Sequence, residues 1–239
     1  MSVSEKVILA LDVSEYTYAI ELVEKFKDYV EIYKIGPELF ISSGPKIIHD
    51  INNKGKKIFL DLKFHDIPNT VSKSAVVATK LGVYMFNVHI SGGLEMMRKC
   101  RDAVVELCLK ENLNRPKILG VTILTSISKD ILTNELGIPY SIRTHVKHLS
   151  SLALKAGLDG VISSPREAAI IRNHCGKGFL IVTPGIRPSW TPPDDQKRTM
   201  TPKEAIREGA DYLVMGRAVL QHPDPIKAIE IINLEILTA

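Results

Sequence analysis

The chain has 239 residues, 45% of them hydrophobic and 24% charged, with a formal net charge of +4 at pH 7. That is ordinary for a soluble globular protein and enough for one barrel-sized core. No apolar run approaches the roughly 20 residues that span a bilayer, MSVSEKVILALD lacks the features of a signal peptide, and Lys and Arg form no basic stripe, so membrane and nucleic acid are excluded as partners and a cytoplasmic protein is expected.

Eight short apolar, β-branched runs follow one another along the chain. They are Val7–Asp12, Glu31–Gly36, Lys57–Lys63, Val83–His89, Lys117–Leu124, Asp159–Ser163, Phe179–Gly185 and Asp211–Gly216. Between them lie stretches of helical periodicity, among them Glu15–Lys27, Val71–Leu81, Leu94–Lys110 and Ser141–Lys155. Alternation of strand and helix predicts a parallel sheet of βαβ units. TKLGVYMFNVH, LKAGLDGVISS and IREGADYLVMG share one phrase: a helix ends and a strand resumes within a few residues of a glycine. Gly82, Gly157 and Gly209 suit the left-handed C-cap such a turn requires. Eight units in this length give about 30 residues each, the size of one βαβ step. The expectation is an α/β protein, a (β/α)8 TIM barrel whose single domain spans 1–239. No G-x-G-x-x-G follows a strand, which counts against a dinucleotide-binding sheet.

A barrel gives function an address, because chemistry sits at the C-terminal ends of the strands and phosphate commonly binds after strands seven and eight. Polar residues do collect there: Asp12 on the first strand, Lys34 on the second, Asp61 and Lys63 with Asp66 beyond them on the third, Asn87 and His89 on the fourth, Thr122 and Thr125 on the fifth. Asp61 and Lys63 are two apart, so an extended strand turns both to the barrel interior. A lone buried charge is very costly, so an Asp and a Lys buried together need each other. Taken singly, the pair could be a structural ion pair. Lys34 and Asp12 from neighbouring strands would converge on the same place, which makes an alternating charge array the better reading, able to stabilise a transition state.

The segment Pro184–Met200, PGIRPSWTPPDDQKRTM, carries four prolines and the only tryptophan. A long loop of this kind in a compact domain reads as a lid or a disordered segment. It starts beside the expected phosphate site. Arg187 alone would read as a surface charge. With Gly216 and Arg217 at the eighth strand end, where a helix N-terminus would add N–H donors, it reads as a phosphate cup. Other residues keep bland readings: His65 as packed or solvated, His89 as an orienting group, Cys100, Cys108, Met96 and Met97 as core, and Lys54–Lys57 as a solvated turn. The three cysteines show no C-x-x-C spacing and no His/Cys cluster has metal-ligand spacing, so neither disulfide nor structural metal is expected.

LALD, YKIGPELF, LDLKFHDIPNTV, NVHISGG, VTILTS, VTPGIRP, DDQKR and MGRAV, in this order from Leu9 to Val219, resemble the orotidine 5′-phosphate decarboxylase family in its compact monofunctional bacterial form. The D-x-K-x-x-D of the third strand is shared with sugar-phosphate relatives; DIPNT, PGIRP and DDQKR are more specific. The resemblance implies conversion of orotidine 5′-monophosphate to uridine 5′-monophosphate without metal or organic cofactor. It implies that Lys63 protonates C6, that Asp61 sits against the substrate carboxylate, that Lys34 and Asp12 contact the ribose, and that Thr125 meets the pyrimidine edge. It further implies that Arg187, Gly216 and Arg217 bind the phosphate and that Gln196 bridges phosphate and base. Asp66 and Thr70 would reach into the neighbouring site of a homodimer. A sugar-phosphate aldolase or decarboxylase of the same superfamily is the runner-up and would require a divalent metal, for which Lys34 is an unhelpful neighbour. A non-catalytic nucleotide-binding barrel would not need an intact array.

Overall fold

The structure, a computed structural model, describes residues 3–191 and 199–239. Eight strands, β1 (Val7–Leu11), β2 (Ile32–Ile35), β3 (Lys57–Phe64), β4 (Met85–His89), β5 (Lys117–Val121), β6 (Gly160–Ile162), β7 (Leu180–Thr183) and β8 (Tyr212–Met215), pair in parallel and in chain order. β8 closes onto β1 through Val7↔Leu213. The expected (β/α)8 barrel is the observed one.

All the strands but β3, which runs one residue further to Phe64, are shorter than the apolar runs that announced them. The fifth stops at Val121, not Leu124; Thr122 beyond it donates both its backbone N–H, at 3.1 Å, and its hydroxyl, at 2.9 Å, to the Ile162 carbonyl. Helices Tyr16–Phe26, Pro68–Lys80, Gly93–Glu111 and Ile142–Ala156 fall within a few residues of the expected segments. Pro68 takes the first turn of its helix, where the missing N–H costs nothing. Gly82, Gly157 and Gly209 have φ of 74°, 77° and 102°, the positive values the αβ turns demand.

Two apolar layers make the core. The strands' outward faces pack under the helices. Inside the barrel, Ile8, Ile32, Phe59, Met85, Leu119, Val182 and Tyr212 form a separate buried cluster. At the N-terminal mouth, the Tyr84 and Tyr212 hydroxyls meet at 3.2 Å, and Lys57 pairs with Glu5 at 2.8 Å while its ammonium lies 5.1 Å from the Tyr84 ring centre. Lys57 is the first residue of β3, where the third apolar run begins, and part of this closure, so the solvated turn ends before it. Side chains two residues beyond the apolar plug emerge on the same inward face. From Ile8, Ile32, Phe59, Met85 and Leu119 that step leads to Ala10, Lys34, Asp61, Asn87 and Val121. An apolar floor thus carries an arc of polar side chains, Lys34, Asp61 and Asn87 on β2 to β4, flanked by Ala10 and Val121.

Candidate active site

A cavity of about 480 Å³ opens at that mouth. Asp12, Lys34, Asp61, Lys63, Thr125, Arg187, Gly216 and Arg217 all line it. Eight of the residues singled out from the sequence, drawn from six strand ends, share one cleft.

Four of them form a row. Lys34 Nζ donates to Asp12 Oδ1 at 2.6 Å and lies 3.5 Å from Asp61 Oδ2. Lys63 Nζ lies 2.9 Å from the other oxygen, Asp61 Oδ1. The side chains of Lys34 and Asp61 are 10% and 12% exposed, those of Lys63 and Asp12 32% and 60%, so the inner pair is dry and the outer pair reaches the opening. Each inner charge touches opposite charges, which offsets its desolvation. Lys34 Nζ stands between two carboxylates. Among the described residues, no group of three His, Cys, Asp or Glu side chains could hold a metal ion.

Asp61 and Lys63 meet, but not by the simple pleat. β3 pairs with β4 at Leu60↔Phe86 and again at Phe64↔Val88, so four steps on one strand oppose two on the other. Within this bulge Lys63 has φ 51°, a left-handed conformation that costs a non-glycine residue about 1–3 kcal/mol. The residue expected to do the chemistry therefore sits on strained backbone, which alternation alone would not have shown.

Asn87 is the site residue that sequence reasoning named without a role. It is fully buried on the inward face of β4. Its Oδ1 accepts the Lys63 backbone N–H at 2.7 Å, and its Nδ2 donates to Asp61 Oδ1 at 2.6 Å. A backbone N–H can only donate and a carboxylate can only accept, so these partners fix which way the amide points.

The opposite wall holds the two arginines. Gly185, with φ 81°, turns the chain out of β7, and Ile186 pairs with Met200 in a single bridge, with Arg187 N–H donating to the Met200 carbonyl at 2.9 Å. Gly216 caps the short helix Arg217–Leu220. A Cβ on Gly216 would come within 3.2 Å of Ala10 Cβ, so the close approach of β8 to β1 favours glycine. Gln196 lies outside the described residues.

Asp66 and Thr70 do not line this cavity. Both are exposed, and Asp66 Oδ1 accepts its neighbour's N–H, from Ile67, at 2.6 Å. His65 is exposed and packs its ring 5.2 Å from that of half-buried His89. Burial, then the charges of His65 and Lys63, push the His89 pKa below the usual imidazole value. Thr122 is buried and turned away from the cavity, whereas Thr125 lines it.

The family model described as "Orotidine 5'-phosphate decarboxylase / HUMPS family" matches residues 5–232. The orotidine 5′-phosphate decarboxylase of Geobacter metallireducens is 49% identical, over 98% of this chain and 96% of the relative. That of Moorella thermoacetica is 44% identical, over 99% and 94%. Among solved structures, the crystal structure of orotidine 5′-phosphate decarboxylase from Lactobacillus acidophilus superposes with a TM-score of 0.85 at 37% identity, covering 97% of this chain and 99% of the other. An uncharacterized conserved protein from Geobacillus kaustophilus superposes with a TM-score of 0.84 at 33% identity.

Proposed function

The chain belongs to the orotidine 5′-phosphate decarboxylase/HUMPS family, and from that premise we propose that it converts orotidine 5′-monophosphate to uridine 5′-monophosphate and carbon dioxide in pyrimidine biosynthesis. The row Asp12–Lys34–Asp61–Lys63, facing two arginines across one cavity, is the observation that carries this reading.

Breaking the bond between C6 and the carboxylate leaves an electron pair in the plane of the pyrimidine, with no carbonyl or imine to accept it. A cofactor commonly supplies such a sink. Here the Lys63 ammonium supplies charge next to C6 and then the proton: the N–H bond breaks, a C6–H bond forms, and the neutral amine regains its proton from solvent. Asp61 lies beside Lys63 and would face the departing carboxylate. A carboxylate held there by Lys34, Lys63 and Asn87 crowds the substrate's own negative charge, and loss of CO2 relieves that crowding. Asp12 and Lys34 reach the ribose hydroxyls, and Thr125 the pyrimidine edge. Arg187, Arg217 and the Gly216 N–H grip the phosphate, and Gln196 joins phosphate to base. Binding energy from that remote group offsets the cost of bringing two carboxylates together.

Asp66 and Thr70 complete a neighbour's site in a cytoplasmic homodimer. Their exposure beyond the end of β3, away from their own chain's cavity, supports that assignment. The test is product identification: one uridine 5′-monophosphate and one CO2 per substrate consumed supports the proposal, and unchanged orotidine 5′-monophosphate refutes it.

A further inference from the structure

We propose that Asn87 is the positioning residue of the charge row, holding the Lys63 backbone and the Asp61 carboxylate as one unit. The inference rests on the decarboxylase reading. In the bulge of β3 the ladder to β4 skips from Leu60↔Phe86 to Phe64↔Val88, so the Lys63 N–H faces no ladder carbonyl. The Asn87 side chain replaces that partner, taking the N–H at 2.7 Å. A residue at φ 51° persists only where its surroundings hold it, and this hydrogen bond is the hold that the structure shows.

The same amide reaches Asp61 Oδ1 at 2.6 Å, the oxygen that also meets Lys63 Nζ at 2.9 Å. Asn87, Asp61 and Lys63 therefore close a ring: amide to backbone, backbone to ammonium, ammonium to carboxylate, carboxylate to amide. Moving any member moves the ammonium relative to C6. The phosphate-facing arginines come from β7 and β8, on the other side of the barrel, so loosening this ring leaves the grip on the nucleotide in place. A buried asparagine that merely satisfies its neighbours would affect folding alone. A positioning residue affects turnover at a given fold and affinity.

The carboxyl analogue separates the two roles. As an acid, Asn87→Asp can donate to Asp61 and accept the Lys63 N–H, as the amide does. As a carboxylate it cannot donate, and it sets a second negative charge against Asp61. The charged groups facing position 87 are Asp61 and Lys63 from β3, with His89 two residues along β4, while β5 presents Leu119.

The experiment measures kcat and KM against pH for wild type, Asn87→Ala, Asn87→Ser and Asn87→Asp, with circular dichroism and uridine 5′-monophosphate binding as controls. The expected result is a loss in kcat on the order of 10²-fold for Asn87→Ala and Asn87→Ser, with a much smaller change in KM. The ratio of Asn87→Asp to wild-type activity should rise as pH falls, because only the protonated carboxyl can donate to Asp61. Folded Asn87→Ala or Asn87→Ser with near-parental kcat, or an Asn87→Asp profile parallel to wild type, overturns the proposal. Should the small-residue variants fail to fold, the Asn87→Asp profile decides alone. Inactive wild type would instead overturn the decarboxylase reading on which the inference stands.

Discussion

Lys34 Nζ stands 2.6 Å from Asp12 Oδ1 and 3.5 Å from Asp61 Oδ2, so one ammonium from β2 ties β1 to β3 at the mouth of the barrel. Removing an ammonium held between two carboxylates leaves both facing each other, and leaves the buried Asp61 with one fewer counter-charge. Lys34→Ala should therefore weaken both folding and turnover, by about 3–5 kcal/mol of stability in the manner of a broken buried pair, discounted for the open side at Asp12. Lys34→Ala that melts at the parental temperature would show that the row is not coupled.

On the proposed reading, Arg187 and Arg217, which line the cavity, act as phosphate-binding machinery. Arg187→Ala or Arg217→Ala removes charge-assisted hydrogen bonds, and each should raise KM roughly 10- to 100-fold. A lower kcat should accompany it, because remote binding energy supports the reacting centre. Inorganic phosphate should compete with substrate in wild type and much less in either variant. Equal inhibition of all three proteins would move the phosphate elsewhere.

Asp66 lies outside its own chain's cavity while Lys63 lies inside it. Lys63→Ala and Asp66→Ala proteins should each be nearly inactive, and mixing them under conditions of subunit exchange should restore activity at hybrid sites. Restoration requires a dimer whose sites take residues from both chains. Verified exchange with no recovery would keep Asp66 within one subunit's function.

The acid side of the stability profile follows from two histidines. Burial first, and neighbouring positive charge second, hold His89 and His145 below the ordinary imidazole value, the neighbours being His65 and Lys63 for His89 and His148 for His145. The unfolded chain then binds protons that the folded chain refuses, so stability is full above about pH 6.5 and falls as pH drops through and below that value. The carboxylates held low, such as Glu24 beside Lys54 and Glu204 at its helix cap, add their loss only further down, below about pH 4. Scanning calorimetry should show Tm declining from about pH 7 to 5.5, less steeply in His145→Gln. An unchanged slope in that variant would exclude His145 as a contributor.

Gly160 begins β6 with no room for a side chain: an added Cβ would lie 2.3 Å from the Leu180 carbonyl oxygen and 2.5 Å from Leu180 Cβ. Because the obstacle includes backbone of the paired strand β7, it cannot swing aside. Gly160→Ala should cost about 1–3 kcal/mol, read as a lower Tm, with KM little altered. A parental Tm would mean the two strands can part without penalty.

Much of this was legible in one dimension. Eight apolar runs and the glycines at Gly82, Gly157 and Gly209 carried the barrel, because strand period and turn chemistry are local properties of the chain. The barrel rule then placed Asp12, Lys34, Asp61, Arg187 and Arg217 in one cleft. The bulge was not legible. Asp61 and Lys63 reach the same cavity, yet through a left-handed Lys63 that no glycine announced. Asn87 was visible as a polar strand end, but its two partners lie on a neighbouring strand, and a side-chain hydrogen bond between strands leaves no mark in sequence spacing. The fifth strand was overrun by three residues because Thr122–Leu124 keep an apolar, β-branched character after the ladder has ended.

The most direct measurement is decarboxylation of orotidine 5′-monophosphate by wild type and Lys63→Ala side by side, in the presence of a strong chelator. Wild type should turn over at full rate, and Lys63→Ala, still folded and still binding uridine 5′-monophosphate, should lose on the order of 10⁴-fold or more in kcat. A wild-type reaction that stops with the chelator and returns with a divalent metal, or a Lys63→Ala protein that keeps most of its activity, would contradict the account.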